Sequence, residues 1–168
     1  MIDPRIRVGT GQRLGARVAV NDINPDRAET VAEAIRAAGG QAIGITADIG
    51  NKFQCVNLIE TTRAEWQRLD ILVNNAGIAE LDAPEHMSDE AWDSVVETNL
   101  SSVFKFSRAA HPSLTRAGAG KIINIGSISA QRVRPHSAPY SASKFGLVGL
   151  TQVTALEGRE HGITCGCI

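Results

Sequence analysis

Ile71-Leu72-Val73-Asn74-Asn75-Ala76-Gly77 is the stretch on which the fold turns. Its first three residues read as a short strand that is apolar throughout. Such a strand is expected where both faces are covered, as in a parallel sheet held between helices. It runs directly into two amides, an alanine and a glycine, which are residues that tolerate a turn.

Working back toward the N-terminus, residues 52–67 read as a helix with Val56, Ile59 and Trp66 turned inward. Before it lies a strand, Gln41 to Thr46, that ends at Ala47-Asp48-Ile49. Another helix precedes that strand. Asn24 offers the N-cap and Pro25 the first helical residue. Ala28, Val31, Ala32 and Ile35 follow at helical spacing, and Gly39-Gly40 stops the element. The first recognisable strand is Arg17-Val18-Ala19-Val20-Asn21-Asp22.

Working forward, Ser88 caps a long helix, with Trp92, Val95, Val96, Val103 and Phe106 on one stripe and Asn99 in the middle of it. Gly118 to Gly120 ends that element. Lys121 to Ile125 is a further apolar strand and runs into Gly126-Ser127. A polar loop leads to a helix over about residues 139–159, with Tyr140, Lys144, Leu147, Val148, Thr151 and Ala155 on one side. Residues 163–168 form a last strand.

Strands alternating with helices predict an α/β fold with a parallel, doubly wound sheet. No repeat, low-complexity segment or linker interrupts it, so residues 1–168 are expected to form a single Rossmann-like domain. In such sheets the ligand sits off the carboxyl ends of the strands. Asp22, Asp48, Asn74, Asn75 and Ser127 all collect at those ends.

The composition narrows the function classes. The chain has 168 residues, 43% hydrophobic and 21% charged, with net charge −1. That suits a globular core and gives no support for a nucleic-acid or membrane-surface partner. No apolar run is long enough to span a bilayer, and Met1-Ile2-Asp3-Pro4-Arg5 lacks the apolar region of a secretory signal. Three cysteines, with Cys165 and Cys167 alternating along the last strand, fit small packed thiols in a reducing cytoplasm. His86, His111, His136 and His161 have no mutual spacing that suggests metal ligands, so no metal is expected. Gln131 and His136 lie in the loop before Tyr140, as solvated residues or as substrate contacts.

The chemistry concentrates in Tyr140-Ser141-Ala142-Ser143-Lys144. Residues four apart on a helix share a face, so a phenol and an ammonium reach the same space. A phenol with pKa ~10 is a poor acid or base at neutral pH, and a neighbouring cation favours its ionised form. The pair could then exchange a proton with a carbonyl or alcohol oxygen. By itself the spacing also describes a surface tyrosine beside a solvated lysine.

Taken together, these residues resemble the short-chain dehydrogenase/reductase family over nearly the whole chain from Arg17 onward. Asn74-Asn75-Ala76-Gly77 looks like its NNAG turn, and Asn99, Ser127, Tyr140 and Lys144 match its catalytic set in order and spacing. The resemblance implies hydride transfer between NAD(P) and a secondary alcohol or ketone, as in 3-oxoacyl reductases or sugar, polyol and hydroxy-acid dehydrogenases. Tyr140 would be the general acid/base. Lys144 would lower its pKa and hold the nicotinamide ribose. Ser127 would hydrogen-bond the reacting oxygen, and Asn99 would hold water in a relay to Lys144. As a lone residue, Asn99 also reads as a satisfied core amide. Gly11, Gly15, Asp48, Ile49, Asn75, Ala76 and Gly77 would line the dinucleotide, with Asp48-Ile49 at the adenine. Asp22 would accept from both adenosine ribose hydroxyls and repel a 2′-phosphate, favouring NAD over NADP. An ordinary helix-start acid would look the same. The helices at 88–117 and 139–159 would pair subunits into a homo-oligomer.

The chain departs from the family in two places. Thr10-Gly11-Gln12-Arg13-Leu14-Gly15 mimics the glycine-rich loop, but Ala16-Arg17 replace the expected Ile-Gly and Val18 opens the next strand at once. A parallel crossover needs about a dozen residues, and this one has almost none. The domain is therefore expected to be incomplete at residues 9–17, and also after residue 168, where the family continues into its substrate region. Two readings follow: an NAD-dependent alcohol dehydrogenase or ketone reductase, and a catalytically inactive fragment or pseudoenzyme that acts by pairing with related subunits.

Overall fold

The computed structural model describes residues 15–168, which divide after Asp48 into two compact units. Gly11, with the rest of 10–14, lies outside the described residues.

In the first unit, strand β1 (Arg17–Asp22) pairs in parallel with β2 (Gln41–Thr46), in register from Arg17↔Gln41 to Asp22↔Thr46. Helix α1 (Pro25–Ala37) makes the crossover. Asn24 caps it as expected: its Oδ1 accepts from the N–H of Asp26 at 2.9 Å and of Arg27 at 3.3 Å. Ala32, Ile35 and Ala42 form the buried centre, with Val18, Val20 and Val31 packed around them. Truncating a buried isoleucine such as Ile35 to alanine typically costs ~2–5 kcal/mol. Gly15 (φ 79) leads through Ala16 directly into β1, so no helix stands between them. That matches the shortened spacing seen in the sequence.

The second unit is a three-stranded parallel sheet in the order β3-β4-β5: Ile71–Asn74, Lys121–Asn124 and Thr164–Cys167. Asn74 pairs with Asn124, and Asn124 with Cys167. The helices are α2 (Lys52–Trp66), α3 (Asp89–Val96), α4 (Ser102–Ala117) and α5 (Ala138–Gly158). Ser88 caps α3 through its Oγ, which accepts from the Ala91 N–H at 3.1 Å.

Several expectations need correcting. The helix drawn over 88–117 is interrupted: α3 passes into a π-helical turn, Glu97–Ser101, before α4 begins. The inward stripe keeps its helical spacing through that turn, running Val95, Asn99, then Ser102 and Val103. Trp92, one turn before Val95, is 40% exposed. On α2 the inward stripe is Cys55, Leu58, Ile59 and Thr62. Val56 sits about 100° round from Cys55 and is exposed, while Trp66 is half-buried. β3 is not covered on both faces among the described residues. Leu72 and Asn74 are buried, whereas Ile71 and Val73 are 47% and 49% exposed. The strand alternates because successive side chains take opposite faces and the helices of this unit cover one of them.

Candidate active site

The carboxyl ends of β3 and β4 and the first turns of α5 carry the site residues of the second unit. Pairing runs on past the strands: the Ile125 N–H donates to Asn74 O at 3.0 Å, and the Gly126 N–H to Ile168 O at 2.7 Å. This fixes the backbone that delivers Ser127. Ser127 is extended (φ −166, ψ 154) and caps a short 3₁₀ turn, Ile128–Ala130. Its Oγ accepts from the Ser129 N–H at 3.1 Å, which leaves the hydroxyl proton to be donated elsewhere.

Helix α5 begins with Pro139 in its first turn, where a missing N–H costs nothing. Tyr140 is half-buried and Lys144 is 4% exposed. The Lys144 ammonium donates to Ile125 O at 2.7 Å and lies 5.7 Å from the centre of the Tyr140 ring. The spacing argument is therefore met: phenol and ammonium share one face of α5, and the lysine is not a solvated surface residue.

Asn99, 1% exposed in the π turn, has its side chain fully engaged. Its Oδ1 accepts from the Ile78 N–H at 2.9 Å; its Nδ2 donates to Ile78 O at 2.9 Å and to Ser143 Oγ at 3.1 Å. Ser143 Oγ in turn donates to Tyr140 O at 2.7 Å. The amide thus clamps the backbone just past the Asn75-Ala76-Gly77 turn and links it to α5. The amide is therefore satisfied, and it lies among the candidate site residues. π turns are rare and concentrate at functional sites.

Gly77 lies against the same group. A Cβ there would stand 3.3 Å from Asn99 Oδ1 and 3.8 Å from Lys144 Nζ. The contact with the amide oxygen is the tight one, so a side chain at 77 would require Asn99 to give by a few tenths of an ångström. Asn75 and Ala76 are exposed, whereas Asn74 is buried and donates from Nδ2 to Asn124 Oδ1 at 2.8 Å. The two asparagines of the turn therefore have different tasks, one in the core and one at the surface. Ile49, half-buried, belongs to this unit; its carbonyl accepts from Cys55 Sγ at 3.1 Å.

In the first unit, Asp22 ends β1 and is half-buried, with Oδ1 accepting from the Asn24 N–H at 2.8 Å. Asp48 is exposed beyond β2, and the Ala47 N–H donates to Asp22 O at 3.2 Å. Gly15 is exposed, with open space where a side chain would be.

Sequence reasoning missed Ser143, Asn124 and the Ile125 carbonyl. Asn124 had a visible signal, as an amide following the apolar pair Ile122-Ile123 at the strand end. The carbonyl had none. Cys165, packed beside Asn124, holds its proton above the ordinary thiol range because of burial and then the adjacent Cys167.

A family profile described as short chain dehydrogenase matches residues 10–168. Over 92% of its length the chain is 35% identical to the (2S)-[(R)-hydroxy(phenyl)methyl]succinyl-CoA dehydrogenase subunit BbsD of Thauera aromatica, covering 62% of that protein. It is 36% identical to a 3-oxoacyl-[acyl-carrier-protein] reductase of Staphylococcus epidermidis, again over 92% of the chain and 64% of that protein. It thus spans under two thirds of the length of these relatives. Among solved structures, a metagenomic short-chain oxidoreductase in complex with NADP superposes with TM-score 0.87 at 33% identity, covering 93% of this chain and 71% of that one. The strand-end asparagines, the π-turn amide and the tyrosine–lysine pair thus sit on a backbone of known type, and the chain belongs to the short chain dehydrogenase family.

Proposed function

We propose that this chain carries the acid/base centre of an NAD(P)-dependent oxidoreductase that interconverts a secondary alcohol and a ketone. The observation that carries the reading is the buried Lys144, its ammonium held on Ile125 O and facing the Tyr140 ring. Tyr140 Oη gives its proton to a carbonyl oxygen in reduction and takes it from a hydroxyl in oxidation. Ser127 Oγ donates to the same oxygen and orients it. Lys144 supplies positive charge beside the phenol, where it stabilises the negative charge that develops during proton transfer. Asn99 fixes the Asn75–Gly77 turn against α5.

The exposed Asn75 and Ala76, the close approach at Gly77, and Lys144 fit the ribose–nicotinamide end of a dinucleotide. Bound there, the nicotinamide supplies or accepts the hydride. Asp22, and Asp48 with Ile49, are the residues proposed for the adenosine end, with NAD preferred because a carboxylate repels a 2′-phosphate. The pyrophosphate end does not fit. Its usual partner is a helix N-terminus with free N–H groups, and Gly15 opens into a strand instead.

That last observation favours a second reading, a non-catalytic member that pairs with related subunits. Phe104 on α4 and Phe145, Val153 and Leu156 on α5 are each about half exposed or more, which suits a self-associating surface. Cysteines 55, 165 and 167 are free thiols, in keeping with a reducing compartment such as the cytoplasm.

The test is Tyr140→Phe in a form given a helix after Gly15 and extended to the length of its relatives. Turnover is expected to fall ~10²–10⁴-fold with NADH affinity little changed. Turnover within about threefold of the parent would overturn the assignment.

A further inference from the structure

We propose that Asn124 is a positioning residue that sets the place of the Lys144 ammonium. The proposal rests on the reading of Lys144 given above and adds what holds it. Asn124 is 1% exposed and spends both ends of its amide. Oδ1 accepts from Asn74 Nδ2 on β3 at 2.8 Å; Nδ2 donates to Thr151 Oγ1 on α5 at 2.8 Å. A longer contact reaches Cys165 Sγ on β5 at 3.6 Å. Thr151 then donates to Leu147 O at 2.7 Å, and Asn74 Nδ2 also reaches Ser107 Oγ on α4 at 3.3 Å. One side chain therefore ties the middle strand to both neighbours and to α5.

The consequence for Lys144 follows from spacing. Ile125, the residue after Asn124, presents the carbonyl that receives the Lys144 ammonium. Lys144 and Thr151 are seven residues apart, two turns and roughly 10 Å along one face of α5. The end of β4 is thus joined to α5 twice, Ile125 to Lys144 and Asn124 to Thr151. A single tie lets a helix pivot about the contact. Two ties at this separation fix its height and its tilt. Lys144, Asn124 and Thr151 are all buried, so a loosened bond is not replaced by water without opening the interface. An apolar residue would fill the space, but its contacts are non-directional and would let α5 slide.

The experiment is amine labelling of the 168-residue chain with limiting acetylating reagent, read by mass spectrometry. Lys144 is buried and Lys121 exposed, so the Lys144 rate is taken relative to Lys121. Asn124→Leu, which keeps the branched shape and removes both hydrogen bonds, is expected to raise the relative rate about tenfold at a temperature well below unfolding. Thr151→Val is expected to do the same, and Thr151→Ser, which keeps the hydroxyl, to restore the parent rate. Leu114→Ala, a core truncation away from this network, is expected to leave the ratio unchanged. The proposal is overturned if Thr151→Val and Thr151→Ser behave alike, or if Leu114→Ala raises the ratio as much as the network variants do. The threonine pair decides the matter should Asn124→Leu fail to fold. Because the readout reports where the ammonium sits and not turnover, a loss of the catalytic assignment with the labelling pattern intact would separate the two ideas.

Discussion

Replacing Asn99 by leucine removes the clamp at the π turn while keeping the branched shape of the side chain. Three hydrogen bonds disappear: two to the Ile78 backbone at 2.9 Å and one to Ser143 Oγ at 3.1 Å. Ser143 keeps its bond to Tyr140 O, so the loss falls on Ile78. A buried backbone group left without a partner costs ~1–3 kcal/mol. Ile78 is 38% exposed, so water can reach it and the lower end applies. Two groups at about 1 kcal/mol each give ~2 kcal/mol, which is roughly thirtyfold in the local opening equilibrium. Amide hydrogen exchange at Ile78 is the assay, because its N–H is the donor lost. Exchange about thirtyfold faster is expected there, with the amides of β4 little changed. An increase under about threefold would show that the turn holds its place without Asn99. A uniform rise across the unit would show general destabilisation and would also refute the reasoning.

Further outcomes are expected. NADH added to the 168-residue chain should give no saturable fluorescence change in the micromolar range, because Gly15 leads into β1 and offers no helix N-terminus to the pyrophosphate; a micromolar dissociation constant would contradict this. In a form that does bind, NAD(H) should be preferred and Asp22→Ala should narrow the gap, and a native preference for NADP(H) in kcat/KM would count against the role of Asp22. Phe145→Glu on α5 should shift sedimentation at micromolar concentration toward a smaller species, whereas a strictly monomeric parent would remove the proposed surface. The Cys165 proton is held above the usual thiol range, so the folded chain binds more protons than the unfolded chain in that window. Stability from this source is full below the ordinary thiol pKa and is lost as pH rises through the elevated value. Urea midpoints should therefore fall less steeply above pH ~8.5 in Cys165→Ala than in the parent, and identical slopes would disprove it.

The order of elements was legible because its signals are local. Asn24 before Pro25, the glycines after Ile35, Ser88 before α3 and the apolar run at Ile71 each act within a few residues, and each stands where the spacing put it. The tyrosine–lysine face was legible for the same reason, since helical periodicity places residues four apart together whatever surrounds them. The tight join between Gly15 and β1 was a matter of counting residues. Burial was a different matter. Val56 and Trp92 look apolar and inward by composition, but which face of a helix is covered depends on where its neighbours lie, and here they are exposed. Ile71 and Val73 read as covered on both sides, and only the placement of helices shows one face open. That the Asn99 amide is satisfied was not legible in the chain, because its partners are Ile78, twenty-one residues away, and Ser143, forty-four away. The Ile125 carbonyl under Lys144 carries no side-chain signature at all. A sequence fixes what a segment prefers within a turn or two; which donor meets which acceptor across the sheet is settled only when distant segments pack, because hydrogen bonds act over about 3 Å and a chain can bring any two residues to that distance.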